Sequence, residues 1–421
     1  MEQTKFSRYD TFVIVILTLL QFTIILDFMV LSPLGAILMP TLNITTQQFG
    51  IVVSAYAFSA GIAGLLAAGF ADKFDRKKLL LFFYTGFIIG TLLCGIATNY
   101  YFLLGARIVT GLFGGVIGSI GFAIITDLFR LEMRGRVMGF VQMAFASSQV
   151  LGLPVGLYLA NLWGWHSPFL LIVGVSVVAG IVIVVYMKPI DAHLKIKSER
   201  NAFVHLGKTV SNSRYLKTFA ATMLLATGGF MMMPFGTAFG VNNLKLTVDQ
   251  LPLLYMITGA SSMVFGPLIG KLSDSWGKYR VFFTGSIVMI FIVIYYCSLG
   301  ASPFWLIVSL NIIMFAGITS RMIASGALLS AVPDPADRGA FMSINSSIQQ
   351  ISGGIAAYIA GLIVYQTASG ELMNYDILGY VVSATTAITI LLIWYVNQYV
   401  MSKTAPSMPE MKPTVQPVTA E

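Results

Sequence analysis

The feature that most constrains this chain is a succession of apolar runs, each long enough to cross a lipid bilayer. A helix spanning a hydrocarbon core of about 30 Å needs about 20 apolar residues. Runs of that kind fall at 12–38, 47–71, 79–97, 100–128, 137–160, 168–187, 215–240, 250–271, 280–298, 303–331, 340–366 and 377–400, here numbered spans 1 to 12. Glycine and proline recur inside them (Gly61, Gly64, Pro154, Gly266, Pro267), which membrane helices tolerate because small residues let backbones approach. Charged residues make up 10% of the chain, against about 25% in a soluble domain, so lipid must solvate most of the surface. The short alternating segments of a membrane β-barrel are absent. The first run is too long for a signal sequence and no small-residue cleavage site follows it, so it reads as a retained span. The expected fold is an all-α integral membrane protein.

The net charge of +8 would suggest nucleic acid in a soluble chain, but here the positions of the charges decide. Every lysine and arginine except Lys245, Arg107 and Arg321 falls on one side of the spans. Clusters follow span 2 (Lys73, Arg76, Lys77, Lys78), span 4 (Arg130, Arg134, Arg136) and span 8 (Lys271, Lys278, Arg280). The positive-inside rule therefore puts both termini in the cytoplasm. Cys94 and Cys297 lie in apolar runs with no metal-ligand or disulfide spacing and read as small packing residues.

The longest internal polar stretch divides the chain into residues 1–188, a linker at 189–214, residues 215–401, and a proline-rich tail at 402–421 that reads as disordered. The two large segments carry matching signals. A-G-F-A-D-K-F-D-R-K follows span 2 and G-K-L-S-D-S-W-G-K-Y-R follows span 8, with Asp72 and Asp274 202 positions apart. M-R-G-R-V-M-G follows span 4 and D-R-G-A-F-M-S follows span 10, with Arg134 and Arg338 204 positions apart. Two matches at nearly one offset imply duplicated six-span halves, as in many secondary transporters.

On these residues the chain resembles the major facilitator superfamily, whose cytoplasmic loop motif is G-x-L-a-D-r-x-G-r-k. The C-terminal copy fits with Gly270, Leu272, Asp274, Gly277 and Lys278; the N-terminal copy keeps Asp72, Arg76 and Lys77 but has Ala68 and Asp75 at the glycine positions. L-D-F-M-V-L-S-P in span 1, A-R-I-V-T-G in span 4, and G-L-P-V-G followed by W-G-W-H-S-P-F around span 5 resemble the twelve-helix drug:proton antiporter branch, especially its sugar-efflux-like members. The resemblance covers all but the tail. It implies twelve transmembrane helices in two pseudo-symmetric bundles and a monomeric carrier in the cytoplasmic membrane. It also implies that spans 1, 4, 7 and 10 line a central cavity.

The loop motif sets an acid and several bases at helix ends, where they can cap dipoles or form ion pairs. Asp127 is a natural partner for Arg76. By resemblance these contacts latch the outward-facing state, with Asp274 and Lys278 as the second latch near Asp334, Asp337 and Arg338; the plainer alternative is that the bases only set topology. Gly152, Pro154 and Gly156 should bend span 5 and smooth one face. The family's antiporter signature here is G-P-x-x-G-G, packed against span 8. Leu153 stands in place of the glycine before the proline, so an ordinary packing kink remains open.

Ionisable residues inside spans are costly and mark function by default. Well inside the spans lie Asp27, Arg107 and Arg321. At about 1.5 Å per residue, Asp27 is about 16 Å and Arg107 about 10 Å from the outer boundary, so the two can meet. Arg321 is about 15 Å from the cytoplasmic boundary and is not expected to reach Asp27 while the outer half is open. Burial favours the neutral form of Asp27 and a neighbouring guanidinium favours the anion. Such a carboxylate can exchange a proton for substrate, or it can simply tie two helices together. Arg321 can attract an anionic or polar substrate, or bond to carbonyls and water.

Weaker candidates are Gln142 and Gln149 in span 5, Gln349 and Gln350 in span 11, and Met231, Met232 and Met233 in span 7. Gly114, Gly115, Gly118 and Gly121 read as a close-packing surface, and His166 as a loop residue. No P-loop is present, so the expected energy source is a proton gradient with no cofactor. The expected function is proton-coupled efflux of a drug, sugar or metabolite. Uptake or facilitated diffusion of a sugar, amino acid or organic anion would use the same fold, and only flux would tell them apart. A receptor on the same fold would bind without moving its ligand. A membrane enzyme should show a His/Asp/Glu cluster near one membrane face, and the three histidines form none.

Overall fold

The computed structural model describes residues 6–67, 73–191, 194, 202–334 and 337–404. The N-terminal half comprises α1 (Arg8–Leu42), α2 (Thr46–Ala67), α3 (Arg76–Gly95), α4 (Tyr100–Leu128), α5 (Leu131–Ser147), α6 (Leu153–Trp163) and α7 (Ser167–Tyr186). A short α8 (Ala202–Val210) follows in the linker. The C-terminal half comprises α9 (Ser213–Met232), α10 (Gly236–Asn242), α11 (Gln250–Trp276), α12 (Lys278–Cys297), α13 (Phe304–Ala331), α14 (Arg338–Ile363) and α15 (Tyr375–Thr404). β1 (Tyr365–Gln366) and β2 (Leu372–Met373) form an antiparallel hairpin between α14 and α15.

Helix starts follow capping chemistry. Ser7 and Asp10 form a capping box on α1, and Asn99 and Asp75 accept backbone N–H groups at the starts of α4 and α3. Among the described residues, eleven helical segments are long and apolar enough to cross a membrane. Two of these are interrupted. Span 5 is α5 and α6 joined through a π-helical turn at Ser148–Gly152. Span 7 breaks at 233–235 around Pro234, between α9 and α10, where proline removes a donor from the ladder. Span 11 is helical as well (α14), but Ser343, Asn345, Ser346, Ser347, Gln349, Gln350 and Ser352 make its first half polar, and it is not among the eleven.

Since α1 leaves the basic-loop end at Arg8, its C-terminus marks the far end of the molecule. There the halves close on each other. Thr46 Oγ1 donates to Val364 O at 2.7 Å, Phe49 meets Phe235 edge-on at 6.0 Å, and Asn161 Nδ2 donates to Val248 O at 3.4 Å. Gly50 permits a close backbone approach: a Cβ there would stand 2.9 Å from Ala357 O and 3.3 Å from Gly361 Cα. Deeper in, Phe28 of α1 packs on Phe230 of α9 at 5.5 Å. Towards the basic-loop end several glycines of α5 and α11 meet no neighbour. No neighbouring atom comes within 4 Å of a Cβ built on Gly139 of α5, or on Gly266 and Gly270 of α11.

Candidate functional site

The N-terminal half encloses a charge pair. Asp27 and Arg107 are both fully buried, and Arg107 Nη1 donates to Asp27 Oδ2 at 2.8 Å. The same nitrogen lies 3.4 Å from Asp27 O. Thr91 Oγ1 donates to Asp27 Oδ1 at 3.2 Å, and the Tyr56 ring lies under the guanidinium, its centroid 4.5 Å from Arg107 Cζ.

Small residues make this assembly possible. A Cβ on Gly90 of α3 would sit 2.7 Å from Thr110 N, and one on Gly111 of α4 would sit 2.5 Å from Tyr56 O. With hydrogens there, α3 brings Thr91 to the carboxylate and α2 brings Tyr56 to the guanidinium. The pair is therefore a junction of α1, α2, α3 and α4 within one half. Arg107 Nε is enclosed and has no hydrogen-bond partner, so the guanidinium keeps a spare donor. Burying two charges costs several kcal/mol per ion, and their attraction returns that only with full satisfaction. Stability alone is a poor reason for such a pair.

Next to the pair lies the bend of span 5. Ser148 Oγ donates to Ala144 O at 2.9 Å and to Phe22 O of α1 at 3.2 Å. A Cβ on Gly152 would stand 2.6 Å from Leu26 Cδ1, and one on Gly156 3.2 Å from Val30 Cγ2, so these glycines seat α1 on either side of Asp27. The opposite side of the π turn meets the C-terminal half, where a Cβ on Gly259 of α11 would lie 3.0 Å from Gln149 C. One short segment thus touches both the residue preceding Asp27 and the other half. Pro154 follows in the first turn of α6, and π turns of this kind are frequent at functional sites.

The other sequence candidates fall in different places. Gln142 is exposed and, with Gln21, lines a cavity of about 40 Å³ between α1, α4 and α5. Gly118 and Gly121 line the same cavity, whereas Gly115 packs against Ala60 as a close-packing residue should. Gln349 is exposed on α14, and Gln350 is half-buried there. Met231 is buried and Met232 and Met233 partly so, in the core where α9 ends. His166 stacks on Trp165 and its Nε2 lies 2.8 Å from Ala97 O. Arg321 of α13 lies in the C-terminal half, 5.9 Å from the Phe282 ring centroid, and no ion pair joins it to Asp27 among the described residues.

At the basic-loop end, Arg76 Nε donates to Asp127 Oδ2 at 3.0 Å. Both residues belong to the N-terminal half, so this bond does not itself tie the halves together. Lys77 Nζ donates to Val184 O at 3.0 Å and to Met187 O at the end of α7. Asp75, a departure from the loop motif, caps α3 through Lys78 N and also accepts from Ile190 N, each at 2.8 Å. Arg134 caps the end of α4 through Phe129 O at 2.9 Å and Thr126 O at 2.6 Å. Asp72 lies outside the described residues.

The second copy is arranged differently. Asp274 is exposed, and neither it nor Lys278 forms an ion pair among the described residues. Gly277 makes the turn between α11 and α12 at φ +106, a conformation that favours glycine, while Gly270 faces open space. The contacts here come from elsewhere: Tyr215 Oη donates to Asp337 Oδ2 at 2.9 Å and Lys403 Nζ to Asp334 Oδ1 at 2.7 Å. The Lys403 ammonium holds the exposed Asp334 carboxyl below the usual carboxylate range.

The roles of Thr91 and Tyr56 had no signature in the sequence, since both are neutral residues in apolar runs. The departing Asp75 was a visible signal, as an acid just before a basic helix start is a cap.

A many-spanning helical bundle with a buried charge pair defines an integral membrane protein of the all-α class. The Major Facilitator Superfamily profile matches residues 17–356 and 218–419, and the chain belongs to that superfamily. It is 26% identical over 376 residues to the uncharacterised transporter YceJ of Bacillus subtilis, covering 88% of this chain and 94% of that one. It is 26% identical over 356 residues to the multidrug resistance protein MdtG of Serratia proteamaculans, covering 82% of each. A probable sugar efflux transporter of Helicobacter pylori is 22% identical over 330 residues, covering 77% of this chain and 81% of that one. Among solved structures, the nucleoside transporter NupG superposes with a TM-score of 0.70 at 15% identity, covering 92% of this chain and 99% of its own. A bacterial homologue of the lysosomal transporter Spinster, inward-facing and occupied, gives 0.67 at 14% identity, covering 94% and 97%. These superpositions establish the fold. The chain is a secondary transporter that moves small molecules across a membrane.

Proposed function

We propose that this transporter is a proton-coupled exporter of the cytoplasmic membrane. In this reading twelve spans form two pseudo-symmetric six-helix bundles, residues 1–188 and 215–401, joined by a cytoplasmic linker at 189–214. Both termini are cytoplasmic, and the basic-loop end is the cytoplasmic face by the positive-inside rule. The closed far end then corresponds to an inward-facing carrier.

The observation that carries the proposal is the buried Asp27–Arg107 pair and its place beside the π turn. Protonation neutralises Asp27 and releases its hold on Arg107. Leu26 follows Asp27 in any shift of α1, and Leu26 presses on Gly152. Gln149, in the same turn, presses on Gly259 of α11. A change of protonation in one half thus has a contact route to the other. Gln142, Gln349 and Arg321 serve the solute path, and the clusters around Arg76 and Asp274 set the cytoplasmic gate. Export is favoured over uptake by the named functions of two relatives that cover most of the chain, multidrug resistance and sugar efflux.

The experiment is a solute screen in proteoliposomes with an imposed pH gradient, comparing wild type with Asp27→Asn. Wild type should accumulate solute against its gradient when protons can flow the other way. Asp27→Asn should lose that accumulation while keeping exchange at equal concentrations. Gradient-driven accumulation by Asp27→Asn at the wild-type rate would sink the proposal.

A further inference from the structure

Beside the contact of Leu26 with Gly152, the bent fifth span leaves a space unfilled. A cavity of about 170 Å³ lies between α1, the π turn with α6, and α7, walled by Phe22, Leu26, Leu151, Val155, Ile172 and Val175. No ionisable side chain lines it. The hydroxyl in its wall is already engaged: Thr23 Oγ1 donates to Leu20 O at 2.8 Å and lies 3.3 Å from Tyr84 Oη. The carbonyl of Phe22 likewise accepts from Ser148 Oγ at 3.2 Å. Such a place offers water too few partners. An apolar cavity of about 150 Å³ lined by Leu, Ile and Phe stays dry and takes up benzene or xenon instead.

The rim of this cavity faces outward. Leu151 and Val155 are 61% and 46% exposed on the bend, and Val175 is half-buried on α7. Further along α7, Val178 and Ile181 are exposed as well, so the rim continues into an apolar strip that lipid must solvate. Depth agrees with this. Counted from the start of span 1 at residue 12, Phe22 and Leu26 lie about 15 Å and about 21 Å into a hydrocarbon core of about 30 Å. Counted from the start of span 6 at residue 168, Val175 lies about 10 Å from the far boundary. The opening therefore meets hydrocarbon, in the half of the bilayer away from the basic loops.

We propose that this crevice seats the end of an acyl chain from a lipid of the outer leaflet, wedged between α1 and the bend. The inference uses the membrane orientation of the proposed function, and neither proton coupling nor the direction of transport. Lipid tails are as apolar as leucine, so leaving the bilayer for this wall brings no hydrophobic gain. What the chain end supplies is packing: wall atoms that face a void lose their dispersion partners, and a methyl-terminated chain restores them. A headgroup in the same place would forfeit its hydrogen bonds, so the site selects the chain and ignores the headgroup. The guest touches Leu26 and Gly152, which makes a lipid chain part of the packing that holds the bend against α1.

Photolabelling of the full-length protein in lipid nanodiscs tests this. The probe is phosphatidylcholine with a diazirine at the end of one chain, diluted into unlabelled phosphatidylcholine, and labelled residues are mapped by mass spectrometry. Phe22 and the buried Ile172 should be labelled, although neither stands on the exposed surface. Labelling there should saturate as the probe fraction rises, while at Val178 and Ile181 it should rise in proportion. Val175→Phe fills the cavity, and Leu151→Phe obstructs its rim. Each should abolish labelling of Phe22 and Ile172 and leave Ile181 unchanged. Leu151 is largely exposed, so its variant keeps the test if Val175→Phe does not fold. Phosphatidylglycerol carrying the same chain should label the same residues equally. The proposal is overturned if Phe22 and Ile172 stay unlabelled, if their labelling survives both variants, or if it depends on the headgroup. Uptake of xenon, followed by its magnetic resonance, without chain-end labelling also overturns it, since the cavity would then admit only small apolar solutes. A failure of proton coupling would appear only in the gradient experiment.

Discussion

Asp27 and Arg107 illustrate how a buried pair differs from its separated members. Removing one partner strands the other charge, at a cost of about 3–5 kcal/mol, whereas replacing both with apolar residues of similar volume is often neutral. Asp27→Ala should therefore destabilise the purified protein by about that amount. The double variant Asp27→Leu with Arg107→Met should recover most of the loss. Chemical denaturation in micelles measures both. Recovery of stability without recovery of gradient-driven transport would mark the pair as functional. At this scale the sequence was informative where charge made residues conspicuous. Depth counting brought Asp27 and Arg107 together correctly because both sit in continuous helices of known rise. It was silent on Thr91 and Tyr56, whose placement depends on how closely α2, α3 and α4 approach. It also left open whether Arg321 had a partner, because that depends on which faces of α9, α13 and α15 turn inward.

Among the elements, the bent fifth span links protonation to movement. A Cβ on Gly259 would press on the backbone of Gln149, at 3.0 Å from its C and 3.1 Å from its O, and backbone cannot give way as a side-chain tip can. Gly259→Val should therefore slow transport sharply while leaving the Asp27–Arg107 pair and solute binding intact. Initial rates in proteoliposomes against binding in detergent separate the two effects, and parallel losses would argue for general misfolding. Gly152, Pro154 and Gly156 announced a bend here. They did not announce a π turn, since pitch is set by packing against Leu26 and Gly259 rather than by local preference. Hydropathy also ran straight through the break at Pro234, because Met231 to Phe235 are apolar on both sides of it. In α14 the reverse happened: a polar first half still formed a helix against α2 and α9, as Gly64 beside Ser347 Oγ and Thr222 Oγ1 donating to Asn345 Oδ1 show.

For the molecule as a whole, composition and charge asymmetry made the membrane class and the approximate spans legible, because lipid imposes its thickness directly on the chain. The conformation was not legible. Which end is closed depends on contacts such as Gly50 with Ala357 O, between residues far apart in the chain. Gly50→Val places atoms against that backbone and should shift the molecule towards an open far end. Spin labels at Thr41 and Ser369, in a background free of Cys94 and Cys297, should report longer distances than in the parent.

The same label pair tests the central claim, that Asp27 converts protonation into a change of shape. Distance distributions are recorded across a range of pH for the parent and for Asp27→Asn. The parent should redistribute between short and long far-end distances as pH changes, and Asp27→Asn should stay in one distribution throughout. A pH-dependent shift of equal size in Asp27→Asn would contradict the account.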